Sequence, residues 1–116
     1  MHSQFEIPTS DELTNFHQLT SEPLPDAPGG YVLRAAASRE DIELAVDPLG
    51  RSIRLRLSVL SQLVLDVFRE GATTLRFTET DGSLVVAIEF EAHGIAGTLH
   101  IDIGSTISVR DSLFLR

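Results

Sequence analysis

Apolar and polar residues alternate along most of the chain after residue 30, which is the pattern of β-strands with one buried face. Two-residue turn signals at Asp81-Gly82 and His93-Gly94, and a longer one at Asp47-Pro48-Leu49-Gly50, separate several of these runs and predict hairpins. The predicted strands cover residues 31–37, 42–46, 52–57, 73–78, 84–91, 98–103 and 107–115.

One stretch departs from this alternation and shows helical spacing instead. Its apolar residues recur three or four positions apart, and they are Val59, Leu60, Leu63, Val64, Val67 and Phe68. Ser58 is a suitable N-cap, and Gly71 is suitable just beyond the last turn. The spacing predicts a helix over about 59–70, with Leu65 among the polar residues of its exposed face.

These elements predict an α+β fold: a twisted, mostly antiparallel sheet of about six or seven strands, with the helix at 59–70 packed on one face. Short connections favour pairing between strands that are neighbours in sequence. The residues expected on the buried face of the sheet are Leu44, Val46, Ile53, Leu55, Leu75, Phe77, Val86, Ile88, Phe90, Leu99 and Ile101.

Residues 1–30 differ from the rest in charge and in proline and glycine content. They carry five acidic residues and no arginine, whereas residues 31–116 hold nine arginines and twelve acids. Thr9 and Glu12 have the spacing of a capping box, which predicts a short helix in this region. We therefore divide the chain into an acidic N-terminal arm, 1–30, whose Pro/Gly-rich end connects to a single α+β domain, 31–116.

Composition excludes several chemistries. The 116 residues include no cysteine and no lysine, so thiolate metal sites, cysteine nucleophiles and Schiff bases are ruled out. A net charge of −8 and an aromatic content of 6% argue against nucleic-acid binding. The first residues lack the basic and apolar segments of a signal peptide, and no apolar run approaches the roughly 20 residues of a membrane span. We expect a cytoplasmic protein that does not enter a membrane.

Acidic residues and His100 on the exposed side of the predicted sheet are the main candidates for chemistry. A two-residue turn at His93-Gly94 would place Glu89 opposite Thr98, and Ala87 opposite His100. Side chains on an open sheet face diverge, whereas metal ligands converge on one point. No serine lies in a nucleophile elbow. We therefore predict no catalytic residue, no metal site and no cofactor.

The leading hypothesis is a non-catalytic protein-interaction module, and most concretely a small acidic inhibitor of a basic protein, of the immunity or antitoxin type. An acidic surface accelerates association with a basic partner. The predicted partner-binding residues are Glu6, Asp11, Glu12, Glu22, Asp26, Leu65, Glu89, Glu91 and Phe114.

Two alternatives remain open. The first is a small-ligand-binding protein or an enzyme that uses a polar cleft between the arm and the sheet; its working groups would be Arg54, Arg56, Glu89, Glu91, His100 and Asp102. The second is a self-associating structural domain. Its C-terminal strand, 107–115, is apolar on both faces and would form a homodimer through its edge.

Overall fold

The protein folds into two antiparallel sheets, and within each sheet the strands are arranged in sequence order. The computed structural model describes residues 4–115, and the side chains of residues 4–113. The five-stranded first sheet contains β1 (Thr20–Pro23), β2 (Tyr31–Ala36), β3 (Glu40–Asp47), β4 (Ser52–Val59) and β5 (Gln62–Glu70). The four-stranded second sheet contains β6 (Ala72–Thr80), β7 (Ser83–Ala92), β8 (Ile95–Ile103) and β9 (Ile107–Leu115).

The two sheets bury their apolar faces against each other in a single hydrophobic core. Alternate residues point inward along most strands, and the most completely buried are Val46, Ile53, Leu55, Leu84, Val86, Ile88, Leu99 and Ile101. A small internal cavity is lined by Leu33 and Leu44 of the first sheet and by Val86 and Ile101 of the second. The architecture is therefore a β-sandwich, in which each large buried side chain contributes roughly 1.5–3 kcal/mol before entropy costs.

The predicted α+β fold is wrong, because the stretch predicted as a helix over 59–70 is a hairpin turn followed by strand β5. Val59 pairs with Gln62, and the two residues between them turn the chain. These two residues, Leu60 and Ser61, have positive φ angles of 51° and 66°. Positive φ at both central residues is the type I′ geometry that matches the twist of a hairpin.

Two local features explain why this hairpin resembles a helix in sequence. Type I′ turns usually carry Asn or Gly, so Leu60-Ser61 gives no turn signal. A register shift next to Leu57 and Ser58, which pair with Leu65 and Leu63, leaves Val64 as an extra residue. This bulge interrupts the two-residue alternation and brings the apolar positions into helical spacing.

Most of the predicted strands and turns are confirmed. The predicted inner-face residues are buried, except Phe77, which is partly buried against the core. Glu89 pairs with Thr98 and Ala87 with His100, as the turn at His93-Gly94 requires. The predicted single sheet is instead divided in two, and the second sheet takes the place that the helix was expected to fill.

The N-terminal residues pack onto both sheets. The capping box between Thr9 and Glu12 is confirmed and begins α1 (Ser10–Leu13), which at four residues is the only helix in residues 4–115 and is far too short to cross a bilayer. Phe5 and Leu13 are buried in the core, and the backbone of Glu6 hydrogen-bonds the edge of β6. The division into 1–30 and 31–116 stays a prediction.

A substitution in the Leu60-Ser61 turn changes the free energy of unfolding in opposite directions for a hairpin and for a helix. Asn and Gly adopt positive φ more easily than Leu and Ser do. We therefore expect the double variant Leu60→Asn with Ser61→Gly to raise the free energy of unfolding by about 1 kcal/mol. In a helix the same glycine would lower it by about 1 kcal/mol. Urea denaturation measures the difference. Asp81→Asn, in a turn that already contains glycine, is the control and should change stability by less than about 0.5 kcal/mol.

Candidate partner-binding surface

Six charged side chains form a continuous row across the outer face of the first sheet, and every strand of that sheet contributes. The members of this charged row are Glu22 of β1, Arg34 of β2, Glu43 of β3, Arg54 and Arg56 of β4, and Asp66 of β5. Arg34 contacts Glu22 and donates from Nε to Glu43 Oε2 at 3.1 Å. The row arises because β-strand alternation places every second residue outward and the register aligns opposite charges.

Asp66 is the most strongly held carboxylate of the charged row. Arg54 donates two hydrogen bonds to it, from Nε and Nη2, each 2.9 Å long. These hydrogen bonds hold the pKa of Asp66 below its usual range and raise the pKa of Arg54. Both groups are open to solvent, so the pair adds little stability; its effect is to orient side chains and balance charge along the row.

A groove of about 480 Å³ lies beside the charged row. Gln18 and Thr20, from the N-terminal arm, line one part of it, and Arg34, Asp41 and Arg56, from the sheet, line another. A groove therefore lies between the arm and the sheet, and apolar residues such as Ile42 and Leu63 line it together with the polar ones; its use as a ligand site stays a prediction.

The charged groups proposed for the ligand-binding alternative do not meet in that groove. Arg54 and Arg56 belong to the outer face of the first sheet, whereas Glu89, His100 and Asp102 belong to the outer face of the second. The buried core separates the two faces. Among the described side chains, no group of three or more histidines and acidic residues is placed to hold a metal ion.

The acidic candidates of the arm divide between two surface grooves. Asp11 and Glu22 line a groove of about 740 Å³, and Glu6 and Glu12 line one of about 260 Å³. Asp26 is exposed in the connection that follows β1. These carboxylates share one region of the chain but not one site.

Tyr31 fixes the arm against the first sheet. Its hydroxyl donates a hydrogen bond of 2.9 Å to the carbonyl oxygen of Pro8. Burial, with a smaller contribution from the Glu12 carboxylate, raises the pKa of Tyr31. The ring is buried while its hydroxyl remains satisfied, so the arm is anchored at a defined point.

Glu89 and Glu91 lie on the outer face of the second sheet. Glu89 accepts a 2.6 Å hydrogen bond from the Thr74 hydroxyl and contacts Arg76 Nη2 at 3.6 Å. Glu91 is exposed. Glu89 is thus oriented by its own sheet, and the partner-binding role of both residues stays a prediction.

The prediction that Leu65 is exposed is wrong, because its side chain is partly buried against the core. The backbone of Phe114 pairs with Ala96, and its side chain lies outside the described residues. Within the stretch predicted as a helix, four of the residues expected on its buried face are instead exposed: Leu60 (72% exposed), Leu63 (52%), Val64 (57%) and Phe68 (61%). We call these four residues the β5 patch.

Arg69 connects the two sheets at the edge formed by β5 and β9. Its guanidinium donates two hydrogen bonds to Asp111, of 2.9 and 2.6 Å, and lies 5.1 Å from the centre of the Phe90 ring. Hydrogen bonding from Arg69 holds the pKa of Asp111 below its usual range, and Asp111 raises the pKa of Arg69. A bidentate pair stacked on an aromatic ring fixes the distance between the two strands.

Comparison with known proteins identifies a fold and no family. No protein-family model matches the chain, and no curated protein matches its sequence. A solved structure does match: a chain of the contact-dependent growth inhibition toxin–immunity protein complex from Klebsiella pneumoniae 342. The match covers 94% of this chain and 96% of that one, with a TM-score of 0.79 and 12% identity. At this identity the likeness establishes a shared fold over nearly the whole chain.

The pair between Arg69 and Asp111 predicts a pH-dependent loss of stability. Because the folded-state pKa of Asp111 is lowered, the pair stabilises the protein at neutral pH, and this contribution is lost as pH falls through that pKa. We expect Asp111→Asn to lower the free energy of unfolding at pH 7 by about 0.5–1 kcal/mol, with the difference disappearing in strong acid. Denaturation from pH 7 to pH 2 measures it. The control is Asp102→Asn, at a carboxylate with no ion pair among the described residues. The difference in stability between this variant and the parent chain should not shrink as the pH falls.

Proposed function

We propose that the protein is a non-catalytic inhibitor of the immunity type, which binds and neutralises a toxin protein. The observation that carries this proposal is the shared fold, over nearly the full length of both chains, with a member of a toxin–immunity protein complex. Fold alone does not determine function, so the surface must supply the remaining argument.

The charge of the chain supports the immunity side of such a pair. The net charge is −8, and most of the arm's carboxylates are exposed without an arginine from the arm to balance them. Acidic surfaces attract basic partners, which raises the association rate and orients the encounter. A toxin that acts on an anionic substrate would present a complementary basic surface.

The distribution of polar groups supports binding rather than catalysis. The charged row consists of three arginines and three carboxylates that pair with one another along an open sheet. The histidine and carboxylates of the second sheet lie on the opposite side of the core. Such ordered and exposed side chains suit a protein interface, whose rim is polar and accessible.

A second candidate is binding of a small ligand in the groove beside the charged row. Its support is the concavity of about 480 Å³ between the arm and the sheet, within the size range of ligand pockets. A ligand held there would contact Arg34 and Arg56, which already bind carboxylates of the row. The immunity-type role is preferred because a protein partner could contact the charged row without breaking the ion pairs that Arg34 and Arg56 already make.

The proposed function predicts protection of cells. Candidate toxin domains, taken from any proteins encoded next to the gene, are expressed one at a time in a bacterial host, with and without this chain. We expect growth to be restored for one toxin domain, and that domain to form a stable complex with this chain in size-exclusion chromatography. Failure to protect against any of them would contradict the immunity role, and a bound small molecule in the purified protein would favour the second candidate.

The acidic arm should accelerate binding to that toxin domain. We expect the double variant Asp11→Asn with Asp26→Asn to lower the association rate constant at least about threefold at low salt and to have little effect at 0.5 M salt. Stopped-flow fluorescence measures both rates. The control neutralises two acids elsewhere, Asp81→Asn with Asp102→Asn. An equal loss in the control would show that only net charge matters, and no loss in either would remove the arm from the encounter.

A further inference from the structure

Exposed apolar side chains are concentrated on one edge of the sandwich. Seven large hydrophobic residues are exposed among the described side chains, and four of them form the β5 patch within nine residues of sequence. Single exposed hydrophobic residues are ordinary, but a contiguous group marks an interaction surface.

The edge strands of the two sheets differ in how they are protected. Glu6 covers the edge of β6 with two backbone hydrogen bonds of 2.9 Å, to Thr73 and Leu75. β1 has only four residues and ends at Pro23, which cannot donate a backbone hydrogen bond. β5 has nine residues, and no described segment pairs with its free edge. A long uncovered strand with exposed apolar side chains is a template for strand addition.

The β9 edge is a weaker candidate. It too has nine residues, but on its outer face Ser108, Arg110 and Ser112 oppose Asp102, His100 and Thr98. Leu113 is its only large hydrophobic residue that is exposed among the described side chains. Among the described side chains, the larger exposed apolar group is therefore on β5.

A second copy of this chain is disfavoured at the β5 edge in the registers centred on or next to Asp66. Antiparallel self-pairing that sets Val64 opposite Phe68 is centred on Asp66, so two carboxylates would face each other. A shift of two residues in either direction sets Val64 or Phe68 opposite Asp66. Like charges directly opposite are destabilising, and an apolar residue opposite a carboxylate gains little.

We propose that the free edge of β5 binds an extended strand of the toxin, which adds to the first sheet as a sixth strand. The incoming strand would carry apolar residues facing Val64 and Phe68 and a basic residue facing Glu70, which is exposed at the end of β5. Backbone hydrogen bonds supply affinity, and the apolar pairs supply register. The proposal rests on the immunity-type function and names the surface through which it acts.

Affinity for the toxin domain identified by the protection assay tests the proposal. We expect Phe68→Glu and Val64→Glu each to weaken binding roughly 10- to 100-fold, because each removes an apolar anchor. Leu49→Glu is the matched control, since Leu49 is 75% exposed in the β3–β4 turn and the variant adds the same charge. We expect it to bind within about threefold of the parent chain. Thermal unfolding of the three variants checks that each is folded.

Hydrogen exchange distinguishes strand addition from contact elsewhere. We expect backbone amides within 62–70 to exchange at least tenfold more slowly in the complex, while those of 107–115 do not change. The proposal is overturned, while the immunity role stands, if only the amides of 107–115 are protected or if both β5 variants bind with full affinity. Both are overturned if the parent chain binds no toxin domain. If sedimentation shows a dimer that Phe68→Glu abolishes, the β5 edge binds a second copy of this chain instead.

Discussion

The burial of two apolar sheet faces against each other is the constraint on which the rest of the structure depends. Neither sheet can bury its inner residues alone, because antiparallel sheets of this size expose one face each unless another layer covers them. The core draws Val46, Ile53 and Leu55 from one sheet and Ile88 and Leu99 from the other. Every surface feature follows from this arrangement, since the residues that alternate with the core are placed outward in register.

Outward alternation produces different electrostatics on the two sides of the sandwich. On the first sheet it aligns three arginines with three carboxylates, so that side is balanced. The surplus of acidic residues consequently lies elsewhere, in the arm and around the second sheet. A binding partner at β5 would meet a neutral, ordered face next to an apolar edge, with the acidic arm at the opposite edge of the same sheet, where β1 lies. This separation allows attraction at long range and close packing at short range to be supplied by different residues.

The sequence was sufficient to predict strands wherever alternation was uninterrupted and glycine marked the turns. Asp81-Gly82 and His93-Gly94 predicted hairpins correctly, and the second also predicted which residues face each other across β7 and β8. It was insufficient at Leu60-Ser61, where tertiary packing imposes a left-handed turn on residues without a local preference for it. The bulge at Val64 then concealed the strand period, so the β5 patch was predicted as core, and its exposure could not be deduced from spacing alone.

The path of the N-terminal residues determines when the fold can be completed. Both sheets are meanders of consecutive hairpins, so most of the core can assemble in the order of synthesis. Residues 5 and 6 are different: they precede every strand in the sequence, yet Phe5 is buried in the core and Glu6 pairs with Thr74 of β6, about seventy residues later. Until β6 has been synthesised, the backbone of Glu6 has no strand edge to pair with. The pairing of Glu6 with β6 is therefore a late event in folding during synthesis.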